Sequence, residues 1–218
     1  MDSQKHIAIV DDHTMFRKGL CVLINLFPDY KVTLEAANGK DFISHLDPVN
    51  LPDILLLDIA MPEMDGYAVS AWVNEHYPSI KILALSTMDS EVAIIRMIRA
   101  GARGYLHKDA DPAELKAAFQ EVLTHGYYSN GTFGRNSFRA GLPVPAHDIA
   151  TLVGTLTEKE LTFLRLACSE KTYYEIAGEM FLSVRTIDGY RDTLFKKLQV
   201  SSRIGLVLFA LKNGIVYL

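Results

Sequence analysis

Only two of the 218 residues are cysteine and one is tryptophan, and no apolar run approaches the roughly 20 residues that cross a bilayer. Cys21 and Cys168 lie far apart, with no neighbouring metal-ligand spacing. That excludes a disulfide scaffold and a cysteine-held zinc cluster, and both read as reduced packing residues. The opening Met1-Asp2-Ser3-Gln4-Lys5-His6 lacks the charged and apolar regions of a signal peptide, so the expected compartment is the cytoplasm. No glycine-rich loop follows the first apolar run, where the chain reads Val10-Asp11-Asp12-His13-Thr14-Met15. A dinucleotide fold and a P-loop enzyme are thereby disfavoured. Excess charge is also scarce, at a net −4, but it is unevenly spread. Residues 1–149 hold 13 basic and 19 acidic residues, against 9 and 7 in residues 150–218, a weak hint of a polyanion partner for the C-terminal piece.

What is present is ordinary globular material, 49% hydrophobic and 22% charged, enough for one large domain or two small ones. The run Asp53-Ile-Leu-Leu-Leu-Asp58 has four consecutive apolar residues, which suits a central parallel strand covered on both faces. Around it, strands are expected at His6–Val10, Lys31–Ala36, Ile80–Ser86 and Gly104–His107. Helices follow each: after Asp12, from Gly39 to Leu46, from Gly66 to Tyr77 with Asp65 as cap, from Glu91 to Ala100, and from Pro112 to Leu123. Five such repeats imply an α/β fold, a doubly wound five-stranded parallel sheet with helices on both faces.

The strand ends carry the chemistry. Strand one ends in Asp11-Asp12, strand three in Asp58, strand four in Ser86-Thr87, and strand five runs into Lys108. In a doubly wound sheet these ends share one rim, so carboxylates, a hydroxyl and an ammonium converge. Adjacent acids repel unless a cation joins them, and Mg²⁺, a hard ion that takes oxygen ligands, suits the cluster. An aspartate there can act as nucleophile toward phosphorus and form an acyl phosphate, which makes Asp58 the candidate acceptor. His13 is expected to start the first helix rather than to hold metal.

From His125 to about Thr155 the regular alternation gives way to glycine, proline, serine and asparagine, the composition of a linker, with a short helix expected at Ala146–Val153. Thr157 with Glu160 then forms a capping-box signature, and helices are expected to Ser169, from Thr172 to Met180, from Val184 to Leu198, and, after Ser201-Ser202, to Asn213-Gly214. The result is a small all-α four-helix domain. Its second and third helices, joined at Phe181-Leu182-Ser183, make a helix-turn-helix. Helical spacing places Arg185, Gly189, Asp192 and Lys196 opposite the core, flanked by Asp188 and Arg191. Arg185, Thr186, Lys196, Lys197 and Arg203 are candidate phosphate contacts, and Arg191 a candidate for phosphate or guanine.

Ile9-Val10-Asp11-Asp12-His13, Leu57-Asp58 through Asp65-Gly66, Leu85-Ser86 and Gly101 through Lys108 together resemble the receiver domain of bacterial response regulators. The resemblance implies that Asp58 takes a phosphoryl group from a sensor histidine kinase. It implies that Asp11, Asp12, Asp58 and the backbone carbonyl of Ala60 hold Mg²⁺, and that Lys108 pairs with the phosphoryl group. It also implies a switch in which Ser86 moves to the phosphoryl oxygen and Tyr105 turns inward. Leu156-Thr157 with Glu160, Glu175-Ile176-Ala177, Leu182-Ser183, Arg185-Thr186-Ile187, Lys197-Leu198, Val200 and Arg203 resemble the LuxR-type DNA-binding domain. The whole order resembles the NarL/FixJ subfamily. In that family the last helix pairs two copies, which implies a homodimer through residues 203–212 and a receiver face. The recognition helix departs from the family at Ile187-Asp188-Gly189-Tyr190, where Val-Lys-x-His is common, and Glu170 replaces a usual glycine. Asp188 adds repulsion toward phosphate but can accept from cytosine N4, and Gly189 weakens the helix by about 1 kcal/mol relative to alanine.

The expectation is a phosphorylation-dependent regulator that binds double-stranded DNA, with a receiver at 1–125, a linker at 126–154 and a helix-turn-helix domain at 155–218. It is not expected to act as an enzyme beyond its own phosphorylation and dephosphorylation. An aspartyl-phosphate hydrolase would need a second acid two residues after Asp58, where Ala60 stands. A regulator acting through protein contacts, its DNA face degraded by Asp188 and Asp192, is the other rival.

Overall fold

The computed structural model describes residues 4–87, 90–129 and 155–216. Most of the expected linker, including the helix expected at Ala146–Val153, lies outside them. The chain separates into two compact units, residues 1–89 with 97–128 and residues 90–96 with 129–218.

Strand and helix alternate from the start: β1 (Lys5–Val10), α1 (Thr14–Asn25), β2 (Tyr30–Ala36), α2 (Gly39–His45), β3 (Ile54–Asp58), α3 (Gly66–His76), β4 (Lys81–Ser86), α4 (Glu91–Arg99), β5 (Gly104–His107) and α5 (Pro112–His125). The five strands pair in parallel in the order β2-β1-β3-β4-β5, as the crossover connections require. Ile54 to Leu57 are wholly buried at the centre, which is why β3 carries no polar alternation. A two-residue strand, β6 (Tyr128–Ser129), extends the sheet beyond β5, with the Tyr128 amide donating to Arg103 O at 2.8 Å. Two residues are too few for a period to register, so sequence alone does not reveal this edge.

The caps are local and legible. Asp65 accepts from the Ala68 amide to start α3, Asp111 accepts from Glu114 ahead of Pro112 to start α5, and Gly126, at φ 83°, ends α5 in the left-handed conformation that favours glycine. Gly66 is required for a different reason. A Cβ there would collide with the Asp58 carbonyl oxygen and lie 2.8 Å from Ile59 Cα, so the start of α3 packs backbone to backbone on the end of β3. Both cysteines are buried and free, and burial, with Glu35 beside it, pushes the Cys21 thiol up to about 12.

The C-terminal helices are α6 (Glu158–Ala167), α7 (Tyr173–Glu179), α8 (Val184–Lys197) and α9 (Arg203–Lys212). Two complete capping boxes open the first two, Thr157 with Glu160 and Thr172 with Glu175, while Ser183 and Ser202 cap the others. Phe163, Leu164, Ile176, Ile187, Leu194 and Leu206 form the centre. The turn between α7 and α8 passes through Phe181, which takes φ 55° and stands 94% exposed. In α9, Leu206, Val207 and Leu208 are buried, and Phe209 and Leu211 are half-buried.

Candidate functional site

Register places the tips of β1, β3 and β4 side by side: Val10 pairs with Leu57, and Asp58 with Leu85. Asp11 and Asp58 are buried, Asp12 is half-buried, and Lys108 arrives from the end of β5, its amide donating to Ser86 O at 2.9 Å. Lys108 Nζ donates to Asp58 Oδ2 at 2.7 Å and stands 2.8 Å from Asp11 Oδ2, the second contact being an ion pair outside hydrogen-bond alignment. Its ammonium also lies 5.1 Å from the centre of the Phe16 ring. Burial raises the Asp58 carboxyl above its ordinary range, Lys108 pulls it back and Asp11 adds to the rise. Burial likewise works against the Lys108 ammonium, but Asp11 and Asp58 outweigh it and hold its pKa above the usual lysine value.

The cluster fits a divalent cation. Oxygens of Asp11, Asp12 and Asp58 and the His13 imidazole nitrogen all lie within 4.8 Å of one another. Asp12 Oδ1 is buried with no aligned hydrogen-bond donor, the nearby His13 nitrogen included, which in an acidic pocket is the condition a hard cation relieves. His13 caps α1 through its backbone, as expected for a helix start, yet its Nδ1 is 2.9 Å from Asp12 Oδ1 and 3.9 Å from Asp58 Oδ2. It therefore stands in the cluster that sequence reasoning leaves it out of, and its adjacency to two acids is the available signal. Arg17, which sequence reasoning also misses, is buried and donates to the Asp11 carbonyl. Ala60, exposed, donates its amide to Asp58 Oδ1 at 3.4 Å. Ser86 and Tyr105 are both buried, at the end of β4 and within β5.

The second candidate surface is α8. Ile187, Leu194 and Leu198 face the core, while Arg185, Thr186, Gly189, Asp192 and Lys196 are exposed and Asp188 and Arg191 half-exposed. Of the expected phosphate contacts, Arg203 must be withdrawn. Only 3% exposed, it donates to the carbonyls of Ala167, Ser169 and Lys171 at 2.9, 2.9 and 2.6 Å and satisfies the C-terminal end of α6. Burial draws its pKa below the ordinary arginine value. Lys197 is also engaged inside the protein. Its Nζ lies 2.8 and 2.9 Å from the two oxygens of buried Glu160, and that contact, with the donors of Thr157, outweighs burial and keeps the Glu160 carboxyl below its usual range. Both cations read as solvated in sequence because sequence shows charge but not burial. Arg191 is held by Asp188 and Asp192, whereas among the described residues Arg185 and Lys196 have no ion pair.

Comparison with known proteins bears on both surfaces. Residues 7–120 match the response regulator receiver domain and residues 154–210 match the bacterial regulatory proteins of the luxR family. An uncharacterized transcriptional regulatory protein, YxjL of Bacillus subtilis, is 31% identical over 214 residues, 96% of each chain. The receiver domain of the putative response regulator NarL from Mycobacterium tuberculosis is 30% identical at a TM-score of 0.50, covering 56% of this chain and 98% of that one. The response regulator RcsB in its DNA complex shares the fold at a TM-score of 0.54 and 21% identity, over 96% of this chain and 99% of that one. Among the described residues no helix is long and apolar enough to cross a membrane.

Proposed function

The chain belongs to the bacterial response regulators, a receiver domain followed by a luxR-family DNA-binding domain, and from that premise we propose that Asp58 is its phosphoacceptor. The observation that carries this is the placing of a buried carboxylate at a sheet rim, paired with Lys108 and beside Asp11 and Asp12. An Asp58 oxygen attacks phosphorus on a sensor kinase phosphohistidine, the P–N bond breaks, and an acyl phosphate forms as the imidazole leaves. Lys108 is positioned to move from the carboxylate to the phosphoryl oxygens. Mg²⁺, held by Asp11, Asp12, Asp58 and the Ala60 carbonyl, would neutralise charge on the transferring group. Phosphorylation at Asp58 gives Ser86 a new acceptor, and Tyr105, already buried, packs behind it. Water later removes the group, and this cycle is the chain's only chemistry.

Residues 1–125 with the β6 edge at 128–129 form the receiver, the linker follows to 154, and 155–218 are the DNA-binding domain of a cytoplasmic regulator. The phosphorylated form pairs through residues 203–212 and a receiver face, and α8 enters the major groove with Arg185, Thr186 and Lys196 toward the backbone. Intact-protein mass spectrometry after acetyl phosphate and Mg²⁺ tests the acceptor. The native chain gains one phosphoryl group and Asp58→Asn gains none; a group retained on the variant moves the site elsewhere. Selection on random DNA, with and without phosphorylation, tests the output, and recovery of no sequence in either state sinks it.

A further inference from the structure

The one arginine in the middle of α8 is occupied. Arg191 Nη1 lies 2.8 Å from Asp188 Oδ1, Nε 3.0 Å and Nη2 2.9 Å from Asp192 Oδ1, and the guanidinium carbon 5.8 Å from the centre of the Tyr173 ring. All three guanidinium nitrogens thus point at carboxylates, while Arg185 and Lys196 on the same exposed face have no ion pair among the described residues. We propose that Asp188 and Asp192 bias Arg191 away from DNA phosphates, and that the guanidinium is released preferentially to a guanine that has a cytosine close by to give Asp188 a donor. This rests on the reading that α8 meets DNA.

The two ways of releasing Arg191 differ in what they leave behind. A phosphate re-pairs the guanidinium but strands two carboxylates beside a polyanion, which is repulsive. A guanine offers O6 and N7 to the guanidinium, and a cytosine close by offers its N4–H₂ donor to Asp188, so both partners are satisfied together. Exposed ion pairs are individually weak, so the arrangement acts as a bias rather than a permanent closure. The recognition helix then reaches non-specific DNA through Arg185 and Lys196, and keeps Arg191 and Asp188 for reading a guanine and a neighbouring cytosine.

A double-mutant cycle on the full chain, treated with acetyl phosphate and Mg²⁺, tests this on mixed-sequence DNA. The slope of log affinity against log salt is measured for the native chain, Arg191→Ala, Asp188→Asn with Asp192→Asn, and all three together. Arg191→Ala should flatten the slope by about 0.9 more per DNA-bound subunit in the two-asparagine background than in the native one, because each guanidinium neutralises a phosphate mainly when the carboxylates are gone. Equal flattening in both backgrounds overturns the proposal, since Arg191 would then meet phosphate regardless of its partners. A second measurement needs no DNA: water exchange of the Arg191 Nε proton by NMR should be slow in the native chain and fast in the two-asparagine variant, and equally fast exchange in both overturns it. In selection on random DNA, Asp188→Asn should lose preference for cytosine at one position of each half-site, and an unaltered preference removes Asp188 from base reading. Native protein that binds no DNA at any salt would instead sink the DNA-binding reading itself.

Discussion

The ammonium of Lys108 donates to Asp58 Oδ2 at 2.7 Å from 50 residues further along the chain. It stands where a cation bound by the acids would also exert its charge, so ammonium and metal compete electrostatically. Lys108→Met should therefore tighten Mg²⁺ binding by about tenfold, or ~1.4 kcal/mol, in isothermal titration, while slowing phosphoryl uptake. Unchanged or weaker binding would mean that the ammonium does not oppose the ion.

Asp58 gives the sheet rim a pH dependence of defined sign. Its carboxyl is raised in the folded chain, chiefly by burial, so the native state holds its proton at pH values where the unfolded state has lost it. The charged form thus costs stability at neutral pH, and that cost disappears as pH falls through the raised value toward the ordinary aspartate range. Without divalent ions, Asp58→Asn should melt above the native chain at pH 7, with the gap closing over that acidic window. A gap that widened with acid would reverse the sign.

Two glycines should respond oppositely to alanine. Gly66 has no room for a Cβ against the Asp58 carbonyl, so Gly66→Ala should displace the tip of β3, lower stability by roughly 3 kcal/mol and impair phosphoryl uptake. Gly189, in mid-helix with open space around it, should tolerate the change, and Gly189→Ala should raise stability by about 0.5–1 kcal/mol in urea titration. Loss of DNA affinity in that more stable variant would show that the nucleic acid approaches α8 closely at this point.

Arg203 should matter to folding and not to phosphate. Arg203→Met leaves the carbonyls of Ala167 at the end of α6 and of Ser169 and Lys171 in the loop after it without their donor, at a cost of ~3 kcal/mol by chemical denaturation, with the salt slope of DNA binding unaltered. A flattened slope at intact stability would restore it to the DNA face.

Much of the first unit is legible in sequence because its signals are local. A four-residue apolar run defines β3, acids followed by helical spacing define the rim, and Asp65 and Asp111 are caps whose geometry depends on three residues. Thr157 with Glu160 is equally plain. What sequence does not convey is pairing across long separations. Lys197 meets Glu160 at a separation of 37 residues and Arg203 meets Ala167 at 36, and each looks like a free surface cation until the fold closes around it. The helix-start reading of His13 holds for its backbone and fails for its side chain, since a cap position fixes φ and ψ but not where an imidazole turns. The Asp188–Arg191–Asp192 arrangement is visible in sequence only as a loss of positive charge, because spacing alone does not say which of two acids an arginine will take.

Cys21 stays protonated through burial beside Glu35, and Cys168 is enclosed among the C-terminal helices. Peroxide attacks accessible thiolates; Cys21 presents none at neutral pH, and Cys168 is closed off from solvent. Neither thiol therefore offers an oxidant a handle on this regulator.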